Sequence, residues 1–257
     1  MKVVILAGGM GKRIGEESHL RPKPMIEIGD KPILWHIMKW YASFGYNEFV
    51  ICCGYKGYMI KDYFLKYYAY QGDGNFNLQS GRQKNIENIS EPWKVTLANT
   101  GLKTNTAGRI LGIKEYVADS AFMLTYGDGV SNVNIPELLA CHRQSNMLVT
   151  ITVTQPEGRF GVVQMEEDGK VRKFKEKARK DQSWVNAGFM VMEPGVFEYL
   201  GNGSEMLEDG PFERLAADNK MNAYRHEGFW SPMDTVRDRD YLESLWKKNL
   251  APWKVEE

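Results

Sequence analysis

The chain has 257 residues, and its 33 Lys and Arg residues balance 33 Asp and Glu residues, so the formal net charge at pH 7 is zero. This balance excludes the broad positive field of nucleic-acid-binding and membrane-binding proteins, and we expect neither as a partner. Charged residues make up 26% and hydrophobic residues 43% of the chain, which are ordinary globular values. Any anion-binding site must therefore be local.

The three cysteines, Cys52, Cys53 and Cys141, have no C-x-x-C or metal-binding spacing. Neighbouring residues in a strand point to opposite faces, so a disulfide between Cys52 and Cys53 is not expected. No apolar run reaches the length of a membrane span or a signal segment. These features predict a reduced, cytoplasmic protein.

Up to residue 154, strand patterns alternate with helix patterns. The predicted strands are 2–7, 48–53, 93–98, 121–126 and 148–154, and the predicted helices are 32–45, 58–70, 108–117 and 135–144. This alternation predicts an α/β fold with a mostly parallel, doubly wound, Rossmann-like sheet. Residues 72–92 are polar and poorly patterned, which predicts a surface excursion; together with the many aromatic residues, it favours a homo-oligomer.

After residue 155 the pattern changes to short strand-like runs at 161–165, 171–174 and 185–192, which predict a smaller antiparallel addition. Thr235 is predicted to cap a last helix, with Asp238 three residues later. The apolar stripe of that helix is predicted to be Tyr241, Leu242, Leu245 and Trp246. We expect a single domain, 1–257, divided into 1–154 and 155–257.

A glycine-rich loop follows the first predicted strand. Its backbone N–H groups can approach a phosphate without obstruction by Cβ atoms, and ligands bind beyond the carboxyl ends of parallel strands. Lys12, Arg13 and Lys23 add positive charge, and Pro22 and Pro24 stiffen the segment around Lys23. The sequence therefore predicts a polyphosphate site. Its predicted nucleotide-binding residues from the loop are Leu6, Ala7, Gly8, Gly9, Met10, Gly11, Lys12 and Arg13.

Two other glycine-rich loops compete with this interpretation. A Walker loop needs Ser or Thr after its lysine, but Arg13 follows Lys12. A dinucleotide-binding loop needs a third glycine at position 14, where Ile14 stands and Gly15 comes one residue late. Neither pattern fits.

Asp128 lies between Gly127 and Gly129, directly after the predicted strand 121–126. It should therefore lie at the same sheet edge as the Gly8 loop. A hard carboxylate with small neighbours suits Mg²⁺, which needs only one or two protein carboxylates. An ordinary Gly-Asp-Gly turn is the alternative interpretation.

Together these segments resemble the sugar-nucleotidyltransferase family, also called nucleoside-diphosphate-sugar pyrophosphorylases. The resemblance extends through most of the chain, and its further motifs are Thr104-Asn-Thr-Ala-Gly-Arg109, Gly127-Asp-Gly129, Phe174-Lys-Glu-Lys177, Asn186-Ala-Gly-Phe189 and Trp230 with Asp234. The wider family usually has Thr where this chain has Lys12. With Lys12 at this position, the loop is more similar to that of the cytidylyl branch than to those of the uridylyl and thymidylyl branches.

The resemblance implies roles for individual residues. Arg13 and Lys23 are implied as catalytic residues that stabilise the pyrophosphate and the reacting phosphate. Thr104 and Arg109 are implied to contact the pyrimidine and its ribose, and Asp234 is implied as a second magnesium ligand beside Asp128. The residues implied to bind the sugar phosphate are Glu176, Lys177, Asn186, Ala187, Gly188 and Trp230. The segment 1–154 would then bind the nucleotide, and 155–257 would bind the sugar and complete the metal site.

The reaction implied by the resemblance joins CTP and glucose 1-phosphate into CDP-glucose and pyrophosphate, with Mg²⁺, as a step in nucleotide-sugar and O-antigen biosynthesis. No enzyme nucleophile is needed, and the chain has no G-x-S-x-G motif. A uridylyl or thymidylyl transferase is the nearest alternative. A nicotinamide dehydrogenase and a non-catalytic nucleotide-sugar-binding module are the alternatives from other classes.

Overall fold

The structure is a computed structural model that describes residues 1–11, 20–67, 74–77, 79–85, 91–156, 162–166, 170–175 and 183–255. Its strands, in chain order, are β1 (Val3–Ala7), β2 (Glu27–Ile28), β3 (Lys31–Pro32), β4 (Glu48–Cys53), β5 (Gly74–Asn77), β6 (Arg82–Asn85), β7 (Lys94–Asn99), β8 (Phe122–Tyr126), β9 (Gly129–Ser131), β10 (Val149–Thr154), β11 (Val162–Met165), β12 (Val171–Lys175), β13 (Val185–Met192), β14 (Met221–Arg225) and β15 (Trp230–Pro232). Its α-helices are α1 (Ile33–Ser43), α2 (Gly57–Leu65), α3 (Thr106–Leu111), α4 (Lys114–Val117), α5 (Ile135–Ser145), α6 (Pro211–Ala217) and α7 (Val236–Lys247). Short 3₁₀ helices span Lys23–Met25 and Pro194–Tyr199.

The central sheet has seven strands in the order β14-β10-β13-β8-β1-β4-β7. β1 pairs in parallel with β4 and β8, β4 with β7, and β10 with β14. The predicted α/β class with a mainly parallel sheet is therefore confirmed. β13 is the antiparallel member, inserted between β8 and β10. The run 185–192 thus belongs to the main sheet, and the small antiparallel pair in this part of the chain is β11 with β12.

Helices cover both faces of the sheet, because the central strands carry apolar side chains on both sides. One core includes α1, α5 and α7 packed on the face of Val3 and Ile5. The other includes α3, α6 and the 3₁₀ helix Pro194–Tyr199, packed on the face of Val4 and Leu6. This arrangement makes a three-layer α/β/α body.

Several predicted boundaries differ from the structure. Pro32 is the residue before α1 instead of its first residue, and α2 ends at Leu65. The helix expected over 108–117 is two short helices, α3 and α4. The segment 72–92 contains a hairpin, β5 with β6, that the polar sequence did not predict. In α7 the cap is confirmed, but Tyr241 is 47% exposed and lies outside the buried stripe.

All three cysteines are free, as the sequence predicted. The carboxyl ends of β1, β4, β7 and β8 meet at one edge of the sheet, because these strands run parallel. The loops that follow these strands therefore lie side by side. They form the site described next.

Candidate active site

A cleft of about 700 Å³ opens beyond the carboxyl ends of the central strands. The loop Gly8–Gly11 forms one wall, directly after β1. Gly11 has a φ of 62°, a left-handed conformation that glycine adopts without strain. The loop thus turns its backbone towards the cleft within a few residues of the sheet.

Arg109 lies beneath this loop and ties it to neighbouring strands. Its Nη2 donates to the carbonyl oxygen of Gly8 at 2.9 Å, and its Nη1 donates to Thr100 Oγ1 and to the carbonyl oxygen of Gly101, both at 2.8 Å. The side chain is buried, and burial lowers the pKa of its guanidinium. Arg109 therefore crosslinks the loops after β1 and β7 through three neutral oxygens.

Two neighbouring glycines of the loop serve different purposes. A Cβ atom on Gly8 would lie 2.1 Å from Nη1 of Arg109, so the buried arginine requires glycine at this position. A Cβ atom on Gly9 would meet nothing within 4 Å. Gly8 is thus a packing requirement, whereas Gly9 leaves space on the side of the loop where a ligand would approach.

Lys23 is the buried cation on the opposite wall. It begins the 3₁₀ turn Lys23–Met25, with Pro22 in an extended conformation before it. Its Nζ donates to Oδ2 of Asp128 at 2.8 Å and to Oδ1 of Asp234 at 2.6 Å. Three segments that are far apart in sequence therefore converge on one nitrogen atom.

Local hydrogen bonds hold the backbone at both aspartates. Asp128 follows β8, and its carbonyl oxygen accepts a hydrogen bond from the N–H of Met233 at 2.8 Å. Asp234 precedes the capping box of α7, in which Asp238 Oδ2 accepts from the N–H of Asp234 at 3.1 Å and from the N–H of Thr235 at 2.8 Å. The pairing of β9 with β15 brings both residues to the same side of the cleft.

The electrostatics of this group fit a divalent cation. Burial alone would lower the pKa of Lys23, but Asp128 and then Asp234 raise it above its ordinary value. The ammonium group of Lys23 thus marks a position at which a cation contacts both carboxylates. Among the described residues no group of three or more His, Cys, Asp or Glu side chains forms a metal site. Two hard carboxylate oxygens nevertheless suit Mg²⁺, which retains several of its waters in proteins.

The predicted sugar-binding residues lie mainly at the β13 end of the cleft. Asn186, Ala187 and Trp230 line it, and Trp230 Nε1 donates to the carbonyl oxygen of Ala187 at 2.7 Å. Gly188 does not line the cleft; it has a φ of 95°, and a Cβ atom there would lie 3.0 Å from the ring of Tyr126. Gly188 therefore allows β13 to approach the end of β8.

The structure brings most of the predicted residues to one cleft. Those that line it are Leu6, Ala7, Gly8, Gly9, Met10, Gly11, Lys23, Thr104, Arg109, Asp128, Asn186, Ala187, Trp230 and Asp234. Lys12, Arg13, Glu176 and Lys177 lie outside the described residues. Sequence reasoning missed Tyr126 and Glu208, which also line the cleft and are hydrogen-bonded to each other. Tyr126 directly precedes the Gly-Asp-Gly motif, which was a usable signal, but Glu208 has no motif around it.

Comparison with known proteins defines the family. The family model for nucleotidyl transferases matches residues 2–246. The chain is 46% identical to glucose-1-phosphate cytidylyltransferase of Salmonella typhi, over 99% of each chain. The chain belongs to the nucleotidyl transferase family. It is also 42% identical to a probable glucose-1-phosphate cytidylyltransferase of Bacillus subtilis, over 99% of this chain and 100% of the relative.

Solved structures support the fold of this nucleotidyl transferase. The crystal structure of HddC from Yersinia pseudotuberculosis has a TM-score of 0.68 at 19% identity, covering 95% of this chain and 99% of that one. Apo UDP-glucose pyrophosphorylase has a TM-score of 0.69 at 18% identity, covering 96% and 98%. In the described part of the chain, no helix has both the length and the apolar character needed to cross a membrane.

Proposed function

We propose that this nucleotidyl transferase transfers a cytidylyl group from CTP to α-D-glucose 1-phosphate, giving CDP-glucose and pyrophosphate. The identity of 46% over nearly the full length to a relative of that name is the main support for the choice of substrates. The convergence of Asp128 and Asp234 on one cation, in a cleft that begins at a glycine-rich loop, carries the chemistry.

The proposed reaction is an in-line displacement at the α-phosphorus of CTP. An oxygen of the sugar phosphate forms a new bond to that phosphorus, and the bond to the pyrophosphate oxygen breaks. The protein positions both substrates and neutralises charge, as in other phosphoryl-transfer enzymes. Lys23 is the described cation best placed to contact the reacting phosphate, because it lies at the cleft wall beside both carboxylates.

Mg²⁺ is the proposed cofactor, with Asp128 and Asp234 as its protein ligands. When bound, it would neutralise charge on the phosphate oxygens. The backbone of Gly8–Gly11 is proposed to bind the triphosphate, with Lys12 and Arg13 beside it. Thr104 is proposed to contact the pyrimidine.

The sugar phosphate is proposed to bind near Asn186 and Trp230, with Glu176 and Lys177. Gly188 contributes by allowing this wall to pack closely. A cytoplasmic location, a homo-oligomeric assembly and a supply of CDP-glucose for O-antigen biosynthesis complete the proposal. Light scattering tests the assembly, and a monomeric mass would contradict it.

Pyrophosphate release tests the activity. The purified protein is incubated with glucose 1-phosphate and CTP, UTP, dTTP or ATP, with Mg²⁺ or with EDTA. We expect release with CTP and Mg²⁺, and a loss of release with EDTA. Preference for UTP or dTTP would move the proposal to a uridylyl or thymidylyl transferase, and no release with any of the four triphosphates would reject nucleotidyl transfer to this sugar.

A further inference from the structure

Glu208 and Tyr126 form a hydrogen-bonded pair in the cleft that the proposed transfer of the nucleotidyl group does not use. The hydroxyl of Tyr126, at the end of β8, donates to Oε1 of Glu208. Thr106, at the start of α3, accepts from the N–H of Leu207 at 2.6 Å, and its own hydroxyl proton points to Oε2 of Glu208 at 3.4 Å. The carboxylate is thus held by two separate elements of the fold.

The charge of Glu208 is unusual for its position. Among the described residues no cation lies within ion-pair distance of it, although it is half-buried at the wall of a cleft lined by Lys23 and Arg109. Burial, and then the charge of Glu208, raise the pKa of Tyr126, so the phenol remains protonated and continues to donate. A carboxylate without a cation beside it repels phosphate, unlike Asp128 and Asp234, so Glu208 favours a part of the substrate that is neutral and carries hydrogen-bond donors.

The geometry of the pair favours two donors on neighbouring atoms. The proton of Tyr126 is committed to Glu208, and the side chain of Asn186 donates a hydrogen bond to the phenol oxygen. The lone pairs that remain on the phenol oxygen and on the carboxylate are acceptors on the same wall of the cleft. Vicinal hydroxyl groups supply two donors on adjacent carbon atoms, whereas the amino group of a base supplies both from one atom. Tyr126 and Asn186 lie at the ends of β8 and β13, on the opposite side of β1 from the loop that carries Thr104. Glu208 itself contacts Thr106, two residues after Thr104, so the pair is in contact with both sides of the cleft.

We propose that Glu208 and Tyr126 bind a vicinal diol of a substrate and thereby select for its hydroxyl groups. This inference rests on the proposed function, whose two substrates both carry such a diol, on the ribose of CTP and on the hexose of glucose 1-phosphate. The contact of Tyr126 with Asn186 gives the pair a role in substrate specificity. Neither residue takes part in the displacement at phosphorus.

The test compares substrates that lack single hydroxyl groups. Initial rates of pyrophosphate release are measured for the wild type, Glu208→Ala and Glu208→Gln. One arm uses CTP, UTP, 2′-deoxy-CTP and 3′-deoxy-CTP, and the other uses glucose 1-phosphate and its 2-, 3- and 4-deoxy forms. Glu213→Ala, an exposed carboxylate on α6, is the matched control. Thermal unfolding identifies any variant that does not fold, and the isosteric Glu208→Gln then carries the comparison.

In one of the two arms, we expect removal of a hydroxyl group from the substrate to lower the kcat/KM of the wild type by roughly 10- to 100-fold. This is the scale of a hydrogen bond to a charged acceptor. In the Glu208 variants, kcat/KM for the natural substrate should already be lower by that factor. Removal of the same hydroxyl group from the substrate should then lower it little further. The arm that shows this coupling identifies the ribose or the hexose as the source of the diol.

Three results would overturn the inference. Equal losses for natural and deoxy substrates would show that Glu208 only anchors its loop. A Glu208 variant that changes only the ratio of CTP to UTP use would assign it to the base. A wild type that releases no pyrophosphate from the natural substrates would instead reject the proposed function, and this inference with it.

Discussion

Lys23 and Arg109 are two buried cations in the same cleft, and their partners differ in kind. Lys23 contacts two carboxylates, Asp128 and Asp234. Arg109 donates to two carbonyl oxygens and one hydroxyl, and among the described residues no carboxylate forms an ion pair with it. Neutral carbonyl groups fix the position of the Arg109 side chain and thereby stabilise the loop. The two carboxylates beside Lys23 can in addition bind a metal ion. The comparison therefore separates Arg109, which holds the loop in place, from Lys23, which is proposed to take part in the reaction.

Removal of a carboxylate from the Lys23 group should have the largest effect. Asp128→Asn removes a proposed metal ligand and a partner of Lys23, so we expect kcat to fall by about three orders of magnitude, or about 4 kcal/mol of transition-state stabilisation. Rates of pyrophosphate release at saturating substrate measure this. Asp119→Asn, an exposed carboxylate before β8, is the control and should retain full activity. A tenfold loss or less would remove Asp128 from the metal site.

Removal of the cation itself should have the next largest effect. Lys23→Met should lower turnover by about 2–4 kcal/mol, the scale of losing one transition-state donor. The same change leaves two facing carboxylates without a cation, so Mg²⁺ alone should raise the melting temperature of Lys23→Met more than that of the wild type. The exposed Lys248→Met is the control for both measurements. Equal metal-induced shifts would show that Lys23 and the metal do not compete.

Substitution of Arg109 should affect the stability of the fold more than the reaction. Arg109→Gln leaves carbonyl oxygens of Gly8 and Gly101 without their donor, so we expect the free energy of unfolding to fall by about 2–3 kcal/mol. Urea unfolding measures the loss, and Arg143→Gln on the exposed face of α5 is the control. If stability is unchanged while the KM for CTP rises strongly, Arg109 contacts the nucleotide directly and the contrast with Lys23 disappears.

Two adjacent alanine substitutions sharpen the same distinction at a smaller scale. Gly8→Ala places a Cβ atom against Arg109 and should lower the free energy of unfolding by about 1–3 kcal/mol. Gly9→Ala has room for its Cβ atom, so it should change stability by less than about 0.5 kcal/mol and should instead raise the KM for CTP. Urea unfolding and initial rates separate the two effects. The opposite pattern would mean that ligand approaches the loop from the side of Arg109.

The sequence was sufficient for those parts of the fold and site that depend on local pattern. Alternating strands and helices predicted the sheet, and the residues after β1 and β8 were placed at its edge because parallel strands end together. Contacts between distant segments were not accessible in the same way. The proximity of Asp234 to Asp128 was predicted only from the family resemblance. The hydrogen bond from Arg109 to the Gly8 loop depends on the packing of α3 in the same core as β1.

Other errors also have physical causes. The antiparallel β13 has the same apolar pattern as a parallel buried strand, so its place between β8 and β10 is set by pairing that a sequence pattern does not encode. Glu208 reads as an ordinary surface residue in a polar turn. Only the packing of its loop against α3 and β8 brings it into the cleft.

The cap of the last helix has a consequence beyond the helix. The carboxylate of Asp238 in the capping box of α7 also accepts a hydrogen bond from the backbone N–H of Asp234, the proposed metal ligand. The Asp238 cap, normally considered for its effect on melting temperature, therefore also helps to orient the side chain of Asp234 in the cleft. Efforts to engineer the C-terminal helix, by grafting, trimming or redesigning its first turn, would alter turnover even where every residue in the cleft is left untouched.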